Sequence, residues 1–217
     1  MRARQLLRRL GWLVLLAEFA GSGAALGCAP AATTIFADDF KDDSGGWDLS
    51  GGRLKFGPDG LAATIPAGSL VVQALNLTFD IRDASLCVAS VMPAGRDPLP
   101  SQGIIFWATD YRNFYLAQTD TNRKIYIYRR VNAVWNKLYD AEVPGLKTEA
   151  GAVNELGVEL RDGTVTVSVN GAQVRRFRGL PPDGASRFGL FMQTADPVKA
   201  DAGAVFLFKD FAANPLK

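Results

Sequence analysis

Between residues 154 and 178 the chain runs NELGVELRDGTVTVSVNGAQVRRFR, with apolar side chains at alternate positions on either side of Asp162-Gly163 and Asn170-Gly171. A period of two is the repeat of a strand with one buried face, and both dipeptides suit tight hairpin turns whose central residues take positive φ. The pattern predicts an antiparallel meander from about Glu155 to Phe177. The same alternation returns in NLTFDIRD from Asn76 and in KIYIYRRV from Lys124. Beyond the N-terminal stretch no segment offers a long helical period between caps. Many short strands within one domain predict two packed antiparallel sheets.

Residues 1–27 stand apart from this pattern. Arg2, Arg4, Arg8 and Arg9 precede an apolar run from Leu10 to Phe19, broken by Glu18 and followed by small residues. That order is the one found in a bacterial export signal, and the run is too short to span a bilayer. Two endings of the signal stay open. The stretch AALGC resembles a lipoprotein signal, which makes Cys28 the lipidated first residue; cleavage after Ala31 in Ala29-Pro30-Ala31 gives plain secretion instead. The expected location is therefore exported: periplasmic, an outer-membrane lipoprotein or extracellular, with membrane contact only through the lipid anchor. Cys28 and Cys87 are the two cysteines, and in an exported chain they can form one disulfide. Lipidation of Cys28 instead leaves Cys87 as a small apolar strand residue.

Removing residues 1–27 takes four arginines and one glutamate from a chain of 24 basic and 22 acidic residues, leaving 20 against 21 and a net charge of −1. Such a surface has no electrostatic footprint for nucleic acid. The run Arg175-Arg176-Phe177-Arg178 is expected to be the solvated side of a strand. What remains is enough for one domain with a substantial core.

The order of ADDF…GGW, GIIFWATDYRNFYLAQ, KIYIYRRVNAVW, NELGVELRDGTVTVSVNGAQV, RFGLFMQTA and VFLFKDF resembles the concanavalin A-like lectin and glucanase superfamily. More narrowly it is similar to the laminin-G-like and DUF1080-type (3-keto-disaccharide hydrolase-like) jelly rolls of bacterial secreted proteins. The resemblance implies an all-β, two-sheet antiparallel jelly-roll sandwich over residues 37–217, after a short N-terminal segment at 28–36. It implies that the last strand, near Phe206–Phe211, pairs beside the first, near Ile35–Phe40. The implied partner is a glycan or polysaccharide, held by a noncatalytic carbohydrate-binding or surface-adhesion domain. A glycan-active enzyme of DUF1080 type is the alternative, and a structural envelope module the third reading. Oligomeric state is not legible.

Chemistry leans away from an enzyme. The chain has no histidine, which removes Ser-His-Asp hydrolysis and most zinc sites. The Glu-x-Asp-x-x-Glu strand motif of the superfamily's β-glucanases is absent. After residue 27 the glutamates are Glu142, Glu149, Glu155 and Glu159. Glu155 and Glu159 share one strand face at roughly 13 Å, too far apart for a glycosidase pair, and are expected on the solvated side of an outer strand. Asp110 and other loop aspartates stay open to some other lyase or hydrolase chemistry.

The candidate carbohydrate-binding residues are Trp107, Tyr115, Tyr126, Tyr128 and Arg130. The family pattern implies that Ile104, Phe106 and Ala108 face the core, which turns Trp107 to the opposite, concave side. Ile125 and Ile127 in the core likewise leave Tyr126, Tyr128 and Arg130 outside. In NFYLAQ either Tyr115 and Ala117 or Phe114, Leu116 and Gln118 can be core. Aromatic rings beside polar groups suit the apolar faces and hydroxyls of sugars. No cofactor is required. The resemblance also implies a structural calcium where the first and last strands meet, matching Asp39 and Asp210.

Overall fold

Both predicted hairpin turns form. Asp162 and Gly163 take φ of 49° and 74°, and Asn170 and Gly171 take 50° and 79°. They join β10 (Val153–Arg161), β11 (Thr164–Val169) and β12 (Ala172–Arg178) into the expected meander. Leu156, Val158 and Leu160 of β10 and Val165, Val167 and Val169 of β11 are buried on one face, as the alternation requires.

The computed structural model describes residues 28, 31–48, 53–65, 71–94, 99–184, 186–194 and 204–216. The expected signal at 1–27 lies outside them. The described residues contain no helix. Preceding the meander are β1 (Phe36–Asp38), β2 (Leu54–Lys55), β3 (Leu61–Ile65), β4 (Val71–Leu75) and β5 (Ala84–Val91). Next come β6 (Ser101–Asp110), β7 (Asn113–Asp120), β8 (Lys124–Val131) and β9 (Val134–Glu142); β13 (Arg187–Gln193) and β14 (Ala204–Asn214) close the chain.

These strands form two antiparallel sheets. The larger runs β12-β11-β10-β5-β14-β3-β2, with β1 also on β14; the smaller runs β4-β13-β6-β7-β8-β9. The first strand does pair with the last, Phe36 opposite Ala213 and Asp38 opposite Phe211. A break in register between Phe208 and Asp210 lets β14 take β3 and β1 in succession. The main core fills the space between the sheets, with Phe106, Phe188, Phe206, Phe208 and Phe211 fully buried. The fold is thus an all-β jelly-roll sandwich.

A second apolar cluster lies outside this core. Leu75, Ile105, Ala108, Phe114, Leu116 and Phe191 pack on the outward face of the smaller sheet, with Tyr111 and Tyr128 against them. The six are themselves buried, none more than 2% exposed, so this layer is covered by the side chains packed on it.

Candidate functional site

Cross-strand register shows what this outward face presents. One row runs Phe191, Gly103, Gln118, Tyr126, Asp140 across β13, β6, β7, β8 and β9. The row beside it runs Gly189, Ile105, Leu116, Tyr128, Lys137. Gly103 brings no side chain between Phe191 and Gln118, and a Cβ there would run into the Ala117 carbonyl oxygen. One step further along, Arg130 faces Trp135.

Trp135 organises this surface and was missed among the candidate residues. It is 40% exposed. Its ring meets Phe114, Tyr128 and Phe191 edge to face, at centroid distances of 5.5, 5.6 and 5.8 Å. The Arg130 guanidinium sits 4.9 Å from its centroid, and an Arg130 amino group donates to the Tyr111 carbonyl at 3.0 Å. The signal that could have found it is the two-residue turn Asn132-Ala133, with φ of 50° and 69°. Once that turn is recognised, Val131 pairs with Val134 and Trp135 must share the face of Arg130. Alanine is a poor marker for such a turn, so the register was hidden.

Tyr126 and Tyr128 lie on this face as well, their rings stacked at 6.2 Å and 18°. The Tyr126 hydroxyl donates to Asp120 Oδ2 at 3.1 Å. Burial, then the Asp120 charge, pushes the Tyr126 pKa up, and burial raises that of Tyr128. Both stay protonated hydroxyls well past neutral pH. Asp120 Oδ1 accepts from the Asn122 and Lys124 amides, each at 2.9 Å. At the edge Lys137 pairs with Asp140 at 2.8 Å, and that hydrogen bond holds the Asp140 carboxyl below its ordinary value of 3.8.

Two hollows open here. The larger, about 250 Å³, is lined by Leu116, Gln118, Tyr128, Trp135 and Gln193. The other, about 200 Å³, shares Gln118, Tyr128 and Gln193 and continues past Tyr126 toward Ser101 and Asp120. Gln118 is 5% exposed and its Oε1 has no hydrogen-bond partner.

Two candidate residues fall on the wrong side. Trp107 is 2% exposed and Tyr115 4%, and both belong to the core between the sheets. For Trp107 the cause is a break in strict alternation. Between Phe106 and Asp110 the register of β6 slips against β7, and against β13 as well, with Trp107 at φ 47°. This bulge turns Phe106 and Trp107 both inward and sends Ala108 to the outward cluster. The Trp107 Nε1–H donates to the Arg82 carbonyl at 3.1 Å, and the Tyr115 hydroxyl accepts from the Leu180 amide at 2.9 Å. Of the two faces open for β7, Tyr115 and Ala117 take the core.

Other expectations separate likewise. Asp39 and Asp210 both line an open hollow where β1 meets β14. Asp39 is paired with Lys41, while both Asp38 oxygens are taken by the Phe40 amide and the Trp47 indole N–H. Among the described residues no three acidic, cysteine or histidine side chains gather as a metal would need. Two exposed aspartates, one already paired, do not fit a hard cation that takes six or more oxygens. Glu155 and Glu159 lie on the outward side of β10, an inner strand rather than an outer one. Asp110 caps the β6–β7 turn through the Arg112 amide and the Asn113 side chain. Cys28 is joined to Cys87 by a disulfide, with Cα atoms 4.9 Å apart, which takes the sulfur that lipidation of Cys28 requires.

No protein-family model matches the chain, and no curated protein matches it in sequence. Solved structures do match in fold. A carbohydrate binding module, CBM66, from Bacillus subtilis is similar at a TM-score of 0.62 and 14% identity, over 78% of this chain and 95% of that one. A prokaryotic β-1,3-1,4-glucanase (lichenase) derived from a mouse hindgut metagenome gives 0.63 and 12%, over 83% and 99%. The laminarinase catalytic domain from Thermotoga maritima gives 0.63 and 9%, over 85% and 98%. At such identities the similarity shows the fold alone, a two-sheet jelly-roll sandwich.

Proposed function

We propose that this chain is an exported, noncatalytic carbohydrate-binding domain that takes a glycan on the outward face of the smaller sheet. One observation carries the reading: the partly exposed Trp135 and Tyr128 rings border a hollow that Gln118 also lines, an amide whose buried Oε1 has no hydrogen-bond partner. Rings offer flat apolar ground for sugar C–H faces, and amides beside them bond hydroxyls. Similarity in fold to a carbohydrate binding module and to glucanases supports a glycan as the ligand class. Export is supported by the character of residues 1–27 and by a disulfide, which persists in oxidising compartments.

The carboxylates of this face support binding without turnover. Two-carboxyl glycoside hydrolysis keeps one of the pair protonated until it donates. On this face Lys137 favours the ionised form of Asp140, and Asp120 has both oxygens engaged. Asp140 is therefore a poor general acid.

Substituting Trp135→Ala tests the proposal. Retention on the bound polysaccharide should be lost, while stability falls by less than the roughly 3–5 kcal/mol of a fully buried tryptophan because the ring is partly exposed. Full retention by this variant in a pull-down, with an unchanged melting curve, overturns it.

A further inference from the structure

We infer that the ligand is an uncharged glycan, selected where Gln118 Oε1 accepts a sugar hydroxyl; the inference rests on the proposed function above. The two hollows share Gln118, Tyr128 and Gln193 and so form one groove. Among the described residues that line it, Asp120 alone carries a formal charge, and no lysine or arginine is present. The neighbouring cations stand outside that lining. Lys137 is paired with Asp140, Arg130 lies over Trp135 with an amino group on the Tyr111 carbonyl, and Lys124 is exposed at the rim two residues before Tyr126.

A uronate or sulfate entering this groove would shed water beside the Asp120 carboxylate with no cation in the lining to receive it, which is costly. A neutral sugar meets the opposite situation. Gln118 lines the groove and its Oε1 is a buried acceptor with no donor, so a turn of the amide that brings Oε1 to a sugar hydroxyl satisfies a group left unpaired in the free protein. The tyrosine and tryptophan rings supply the apolar half of the recognition, and they need no charge on the ligand.

The test sets mixed-linkage β-glucan, arabinoxylan and levan against polygalacturonate, alginate and carrageenan, using the intact mature chain. At least one neutral polymer should be retained, with an affinity that does not change between low and molar salt, since no charge pair is screened. Gln118→Leu should weaken that affinity roughly fivefold to tenfold without lowering the melting temperature. Gln193→Lys, at a half-buried position, should recruit polygalacturonate by placing a cation in the groove. Acidic polymers bound as tightly as neutral ones, or unchanged affinity in Gln118→Leu, would overturn this inference while glycan binding stands. Retention on none of the six polymers overturns the proposed function with it.

Discussion

Trp107 shows how much one residue's backbone can decide. At φ 47° it occupies a region that bulky side chains rarely adopt. The surroundings hold it there. Its indole donates to Arg82, meets Tyr115 edge to face at 5.5 Å, and lies against Gly179, where a Cβ would come within 2.5 Å of the ring. We therefore expect Trp107→Ala to leave a cavity and cost roughly 3–5 kcal/mol, read as a lowered melting temperature. Glycan retention by the fraction that stays folded should be unchanged. Loss of binding with full stability would return Trp107 to the binding face. Trp135→Ala should show the reverse pattern, so the two tryptophans separate stability from recognition.

Among the elements, the β8–β9 hairpin matters most to the proposed site. Among the described residues β9 has one strand neighbour, β8, and most of its residues are exposed. Its position therefore depends on the ladder with β8, on the turn that sets its register and on the contacts of Trp135 and Tyr139. Ala133 sits at φ 69°, where an alanine Cβ is crowded by its own backbone. Ala133→Gly relieves that crowding and should stabilise the domain by roughly 0.5–1 kcal/mol, with glycan affinity preserved because the register is kept. A fall in melting temperature would mean that the hairpin does not carry the turn described. The bulge in β6 and the turn before β9 share one lesson. Both are places where period-two counting loses step, one by a slipped residue and the other by an alanine in a glycine's place.

For the whole molecule, the disulfide ties the segment ahead of β1 to β5, an interior strand of the larger sheet. The linked sulfurs pack with Ala89 on that sheet's outward face, away from the proposed groove. The closed loop separates residues 59 apart in sequence. Closing it restricts the unfolded chain, so Cys28→Ser with Cys87→Ser should lower stability by roughly 2–4 kcal/mol. Peptide mapping without reductant should recover Cys28 and Cys87 on one cross-linked fragment. A diacylated Cys28 peptide would show instead that the chain is a lipoprotein. Glycan retention should survive the double substitution, because no residue of the groove touches the bridge.

What the sequence determined by itself was local. Alternation and two turn dipeptides set the sandwich, the meander, the core faces of β8, β10 and β11, and the outward placing of Tyr126 and Tyr128. Those features follow from side chains two apart and from backbone angles at Asp162-Gly163 and Asn170-Gly171, both written in neighbouring residues. Tertiary structure alone decided that Trp107 and Tyr115 belong to the core, that Trp135 faces Arg130, and that Gln118 stands unpartnered between Gly103 and Tyr126. Each of these depends on register between strands. Register is set by bulges, turns and packing across both sheets at once, so a single misplaced residue exchanges the two faces of a strand.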